Sequence, residues 1–421
     1  MVTGYGSTSE LISENKVAEL CSEAFEKYDL TNKRILAVIP DHSRTAPIDV
    51  MFRTVYGLLA DRVKLLDFII ALGTHPPMSD EAINHRVGIT QQERKTKYPK
   101  ARFFNHHWKD PDQLVTVGTI SKQQVQEISN GLLNEKVDIT VNKMVLDYDI
   151  IMIIGPTFPH EVVGFSGGCK YLFPGIAGQE IIDMFHWLGA LITNPAIIGT
   201  KYTPVRKVVD IAAGFIQAEK ICLSLVVKNS GLAGLYIGDP REAWEKASDL
   251  SDKLHITYKD RPFHTVLSCA PEMYDDLWTG GKCMYKLEPV VADGGELIIY
   301  APHIKEVSVT HGNYLNQIGY HVRDYFVKQM DKFKDIPGGV MAHSTHVKGI
   351  GSFENGVEKP RINVTLATQI PRDVCEKINL GYRDPATINK DDFKNREHEG
   401  VLYVAKAGEM LYRLKKDPFR K

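Results

Sequence analysis

Asp149 to Gly155 reads DIIMIIG, and this short run decides the fold class. A brief apolar stretch rich in β-branched residues reads as a strand buried on both faces. Two more such runs precede it. Arg34 to Pro40 (RILAVIP) ends at Asp41, and Val63 to Leu72 (VKLLDFIIAL) runs into Gly73-Thr74-His75. Between them, Pro47 to Asp61 and Ser79 to Val87 have helical spacing. Pro47 suits a first turn, and Ser79 ahead of Glu81 and Ala82 suits a capped helix start. Strands alternating with helices predict an α/β fold, its parallel or mixed sheet covered by helices on both faces.

Working outward, the polar segment Ile256 to His264 (ITYKDRPFH) is the expected linker. The strand pattern restarts at Thr265 to Ala270 and again at Glu296 to Ala301. The sequence therefore predicts two α/β domains, 1–260 and a smaller 261–395, with cofactor and substrate in the interdomain cleft. Residues 396–421 are expected to pack back on the first domain, because Gly400 to Leu414 is apolar enough to need covering.

The 421 residues carry a net charge of −1 and are 43% hydrophobic and 24% charged. That balance gives no basic field for nucleic acid or an anionic membrane, and leaves small-molecule chemistry as the class to expect. The six cysteines include no Cys-x-x-Cys pair, which argues against a disulfide framework and a zinc knuckle. The start, Met-Val-Thr-Gly-Tyr-Gly-Ser, lacks the basic and apolar regions of a signal peptide. No apolar run nears the roughly 20 residues of a membrane span, so the expected location is the cytoplasm.

Polar residues gather at three strand ends: Asp41-His42-Ser43-Arg44, Gly73-Thr74-His75, and the segment beginning Pro159-His160. Open α/β sheets place ligands at the carboxyl ends of their strands. His160 to Lys170 reads HEVVGFSGGCK, matching neither G-x-G-x-x-G nor the P-loop. Its glycines allow positive φ and close approach of a ligand, and its freed amides could cradle an anion. A flexible turn bearing a surface lysine fits the same residues. Lys170 precedes the apolar Tyr171-Leu172-Phe173-Pro174-Gly175, a setting that favours a nucleophilic amine. His186, in the helical DMFHWL, is open to both a packed and a ligating role. His75 and His160 suit proton transfer at neutral pH, and two bases on opposite faces of a carbon are what a racemase or epimerase needs. Arg44 and Lys282 could hold a carboxylate. His106-His107 and the His343/His346 pair are metal candidates. Adjacent histidines on a strand face opposite ways, and the second pair lacks obvious further ligands.

Asp41-x-x-Arg44, Gly73-Thr74-His75, the His160–Lys170 segment, Phe-Pro-Gly-Ile-Ala-Gly and His186-Trp187, in that order, resemble the lactate racemase family, the nickel-pincer nucleotide enzymes. The resemblance runs through most of the chain and is densest from Asp149 to Leu191. It implies a pyridinium mononucleotide whose two sulfur-bearing arms clamp nickel, with Lys170 bonded to one arm as a thioamide and His186 ligating the metal. His75 and His160 would be the catalytic histidines. Asp41, His42, Ser43 and Arg44 would bind the cofactor, as would Ser166, Gly167 and Gly168. Arg44 and Lys282 would hold the substrate carboxylate. The implied reaction is proton-coupled hydride transfer at C2 through a planar 2-keto acid. Where lactate racemase has a Tyr-Gln pair, this chain has Trp278-Thr279, pointing to a larger acid such as an aldonate or malate. With no ATP loop and no sulfur-transfer motif, the chain would depend on cofactor-maturation proteins. A Schiff-base lysine enzyme using pyridoxal phosphate and a non-catalytic acid-binding protein are the competing readings.

Overall fold

The structure is a computed structural model that describes residues 1–420. The chain divides into two compact units. The first comprises Met1–Phe158, Phe165–Ile182 and Arg206–Leu254; the second comprises Pro159–Gly164, Asp183–Val205 and the chain from His255 onward.

The first unit is built on a seven-stranded sheet in the order Thr3–Gly6, Gly231–Gly238, Glu219–Lys228, Ile150–Pro156, Arg34–Pro40, Leu65–Ala71, Ala101–Asn105. The five strands from Glu219–Lys228 onward pair in parallel, and the other two attach antiparallel. The expected strands form with their ends within two residues of the expected bounds. Alternate residues Ile35, Ala37, Ile39, Met152 and Ile154 pack against Val17, Leu20, Met51, Phe52 and Val55 of the helices Glu14–Phe25 and Ile48–Leu59. The intervening Leu36, Val38, Ile151 and Ile153 are also fully buried, so both faces are covered and the run has to be apolar throughout. Each such side chain adds about 1.5–3 kcal/mol. Ser79 caps the helix Asp80–Arg86, its hydroxyl accepting the Ala82 N–H at 3.1 Å.

Arg34–Pro40 and Ile150–Pro156 lie side by side in register, Ile35 opposite Ile150 and Val38 opposite Ile153. Strand order reverses between them, which makes their carboxyl ends the topological switch point of the sheet. Both strands end in proline, which has no N–H to continue the ladder. The chain therefore leaves the sheet at Asp41 and at Thr157.

The second unit holds a five-stranded, all-parallel sheet in the order Gly381–Tyr382, Asn363–Thr368, Val291–Ala301, Phe263–Cys269, Val401–Val404. Two expectations are corrected here. Ile256–Lys259, read as linker, is a strand paired in parallel with Leu411–Leu414. Residues 401–414 belong to the second unit instead of returning to the first. The physical reason is backbone pairing: Val401–Val404 satisfies the open edge of Phe263–Cys269. The fully buried Arg413 then fastens the tail, donating to the carbonyls of Ile198 at 2.6 Å and Pro195 at 2.9 Å.

Candidate active site

In the first unit, three segments meet at the carboxyl end of the sheet. Asp41, 3% exposed, accepts from the Ser43 N–H (3.1 Å) and hydroxyl (2.7 Å) through Oδ1. Its Oδ2 lies 2.5 Å from His75 Nδ1. Gly73 adopts φ +57, and its N–H donates to Gly175 at 2.9 Å, so the turn after Leu65–Ala71 carries His75 back over Asp41. The His75 side chain is 32% exposed and that of Asp41 5%, giving an accessible ring on a buried carboxylate. Burial alone would raise the Asp41 carboxyl. The positive field of His75, the hydrogen bonds from His75 and Ser43, and the Arg44 charge outweigh it, holding the group well below the usual carboxylate range. Asp41 thus belongs to His75 as its orienting partner, a role the sequence reading did not give it. His42 points outward and is exposed.

A carboxylate with a lowered folded-state pKa stabilises the fold above its unfolded value, near 3.9, and that contribution is lost as pH falls through this value towards the folded one. Asp41→Asn should therefore flatten the acid limb of stability. Urea midpoints measured from neutral pH down to about pH 3 should converge between variant and parent as pH falls; parallel curves would refute the coupling.

Both loops are fixed from behind by arginines distant in sequence. Arg86 donates to the carbonyls of Pro40 (3.2 Å), Ala46 (3.3 Å) and Arg44 (3.0 Å). Arg206, 2% exposed, donates to the carbonyls of Phe165 and Gly167, while Trp244 Nε1 donates to Ser166 at 2.8 Å. The guanidinium lies 4.0 Å from the Trp244 ring centroid. Burial pulls Arg206 down to about 10, so it remains charged at neutral pH. Arg206→Met leaves two carbonyls without these donors, at about 1–3 kcal/mol each, and lysine cannot replace the fork. The expected result is a clearly lower denaturation midpoint for Arg206→Met and for Arg206→Lys.

Within this loop, Gly167 has φ +85, and a Cβ there would stand 2.3 Å from Thr157 Oγ1. The Thr157 hydroxyl is buried without a hydrogen-bond partner. The Ser166 hydroxyl staples the loop to the strand end, donating to Pro156 (3.2 Å) and accepting from Phe158 (2.9 Å). Lys170 follows on the 3-10 turn Gly168–Tyr171, half-buried.

In the second unit, His160 is 5% exposed and accepts the Val162 N–H at Nδ1 (3.2 Å), with Glu161 Oε2 3.3 Å from the same nitrogen. His186 lies on the helix Gln179–Ile192, edge-on to Phe185 at 5.0 Å. Asp183, one turn earlier, accepts the Gly339 N–H at 2.9 Å, bringing the helix Gly338–Lys348 alongside. His343 of that helix stacks on Trp278 at 4.2 Å, and His311 takes the other contact at 4.4 Å. Tyr320 Oη lies 3.3 Å from His343 Nε2. Burial, reinforced by His346, His311 and His186, pushes His343 well below its ordinary value and leaves it uncharged. Asp276 caps Leu277–Gly280, accepting the Thr279 N–H (3.0 Å) and hydroxyl (2.7 Å), so Thr279 serves the turn that presents Trp278. The Lys282 ammonium stands 4.7 Å from the Tyr274 ring centroid.

The remaining metal candidates are not assembled into a site. His106 is a core histidine, its Nε2 2.9 Å from the Ala177 carbonyl, while His107 is exposed. Among the described residues, no group of three or more His, Cys, Asp or Glu side chains could hold a metal ion, His343 and His346 included. Nor, among them, is any helix long and apolar enough to cross a membrane.

The lactate racemase N-terminal domain model matches residues 7–198. A lactate racemase from Thermoanaerobacterium thermosaccharolyticum is 24% identical over 284 residues, 64% of this chain and 60% of its own length. One from Lactiplantibacillus plantarum is 23% identical over 305 residues, covering 70% of this chain and 66% of its own. The chain thus spans somewhat under two thirds of these curated relatives. Among solved structures, a Thermotoga maritima protein matches with TM-score 0.89 at 36% identity, covering 98% of this chain and 100% of that one. The T. thermosaccharolyticum lactate racemase apoprotein matches in fold with TM-score 0.71 at 16% identity, covering 96% and 93%.

Proposed function

The chain belongs to the lactate racemase family, and from that premise we propose that it inverts C2 of a 2-hydroxy acid, with His75 and His160 as the acid–base pair and a nickel-pincer nucleotide tethered to Lys170. The observation that carries this reading is the His75–Asp41 pair, an accessible imidazole on a buried carboxylate at the switch point where the Lys170 turn also emerges.

The donor set fits such a cofactor. Lys170 offers a primary amine, His186 an imidazole of the softness nickel accepts, and the Thr157 hydroxyl beside Gly167 lacks a partner. When bound, the cofactor would supply a hydride acceptor for C2, so that the carbon is oxidised and then re-reduced on its other face. His75 and His160 would be the groups that take and return the proton of the 2-hydroxyl. Arg44 and Lys282 would hold the carboxylate. Separate maturation proteins would deliver the cofactor.

The Trp278–His311–His343 stack supports a hydroxyl-bearing acid, an aldonate ahead of malate or lactate. A neutral imidazole exchanges hydrogen bonds with hydroxyls but offers a second carboxylate no full charge. Protein coexpressed with a cofactor-maturation system and tested against lactate, malate, phenyllactate and gluconate should contain nickel and invert gluconate fastest. Faster inversion of lactate would overturn the substrate. Inversion of none, with pyridoxal-like absorbance and no nickel, would overturn the reaction.

A further inference from the structure

We propose that the protein holds its two acid–base histidines in opposite neutral tautomers: His75 protonated on Nδ1 with a bare Nε2, and His160 protonated on Nε2. Asp41 and the Val162 amide are the positioning groups that set them. The inference rests on the proposed function for its meaning, and on geometry for its content.

Take His75 first. Its Nδ1 lies 2.5 Å from Asp41 Oδ2. That carboxylate is already supplied at Oδ1 by two donors from Ser43 and sits in the field of Arg44, so it is ionised and can only accept. The ring must therefore donate from Nδ1. A neutral imidazole carries one proton, which leaves His75 Nε2 with a free lone pair.

His160 receives the reverse instruction. The Val162 backbone N–H reaches its Nδ1 at 3.2 Å, and a backbone N–H can only donate. Nδ1 must accept, so the neutral ring keeps its proton on Nε2. Glu161 Oε2 stands 3.3 Å from the same Nδ1, where its lone pairs oppose those of the neutral ring. It becomes a hydrogen-bond partner only when Nδ1 is protonated as well, in the imidazolium. The neutral form of His160 is thus tied to the backbone, and its charged form has a carboxylate in place.

The two rings enter the reaction unequally. His75 is ready as a base, so the substrate hand whose hydroxyl meets Nε2 of His75 is deprotonated without rearrangement. His160 serves as the acid in its imidazolium form, with Glu161 facing the second N–H at Nδ1; to act as a base through Nε2, the neutral ring must first shift its one proton from Nε2 to Nδ1. The reaction equilibrium fixes the ratio of kcat/KM in the two directions. The inequality is therefore read from the rings themselves and not from that ratio.

The test uses the full chain labelled with 15N-histidine, unloaded, at about pH 8, above the ordinary imidazole pKa. Long-range proton–nitrogen correlations report which ring nitrogen is bare, with His75→Gln and His160→Gln identifying the signals. The expected result is a bare Nε2 in His75 and a bare Nδ1 in His160. The same tautomer in both rings, or a proton on Nδ1 of neutral His160, overturns the proposal. Asp41→Asn should remove the bare-Nε2 signal of His75 and leave His160 unchanged; an unchanged His75 would exclude Asp41 as the positioning group. Should that variant fail to fold, the parent tautomers decide the matter. Opposite tautomers in a nickel-loaded chain that inverts no 2-hydroxy acid would refute the function alone. Inversion with matching tautomers would refute this inference alone.

Discussion

Lys170→Met is expected to bring C2 inversion to the uncatalysed level, a loss of about 10⁶-fold or more, while the protein stays folded. Lys170 sits half-buried on the turn Gly168–Tyr171, whose backbone is fixed by the Lys170 N–H to Gly167 carbonyl bond at 3.3 Å and the Gly175 N–H to Lys170 carbonyl bond at 3.2 Å. Neither bond involves the side chain, and methionine has a similar unbranched stem, so the turn should survive. What disappears is the amine proposed to form the cofactor bond. Intact mass of protein coexpressed with the maturation system should show the cofactor adduct in the parent and none in the variant, with nickel content falling in parallel. Lys170→Arg should fail equally, because a guanidinium does not lose its proton to become a nucleophile. Nickel-dependent inversion by either variant would remove Lys170 from the mechanism.

His75→Gln and His160→Gln should each lower kcat by about 10²–10⁴-fold, the range for loss of a positioned proton donor or acceptor. Both kcat and kcat/KM should fall together with KM little changed, since the lost interaction is made in the transition state. Removing both should cost scarcely more than the worse single change, because full inversion needs the two rings in sequence. Covalent attachment at Lys170 should remain intact, which separates this failure from the first. His107→Gln, at an exposed ring with no part in the proposed site, should leave the rate within a few-fold of the parent. A rate near the parent's in either catalytic variant would exclude that ring.

The sheet was legible because parallel strands covered on both faces must be apolar at every position, a pattern seen in RILAVIP and IIMIIGP without any partner in view. The site loops were legible because they begin where those runs stop. Arg86, Arg206 and Trp244 were not, because each acts on carbonyls some 40 or more positions away and leaves no local spacing. Asp41 was found but given to the cofactor; only the fold shows His75 against it. Glu161 lay inside the quoted motif and went unread because a carboxylate beside a histidine means nothing until Nδ1 is seen to face it. The tail was misplaced for the same reason as the linker: Ile256–Lys259 and Leu411–Leu414 are each too short to declare themselves, and only pairing makes them strands.

Asp276 has a consequence for how such a protein diversifies. One carboxylate shapes the turn Leu277–Gly280 and, through Oδ2, accepts the Val309 N–H at 3.1 Å, so the platform under Trp278 is set by a residue that is not itself part of the aromatic face. Lineages could exchange the residue at position 278 while inheriting the platform unchanged. On the proposed reading, the acid recognised would then drift by single substitutions, while the proposed acid–base residues His75 and His160 keep their inheritance. Laboratory selection for a new acid should accordingly collect its changes at Trp278, His311 and His343 and spare Asp276.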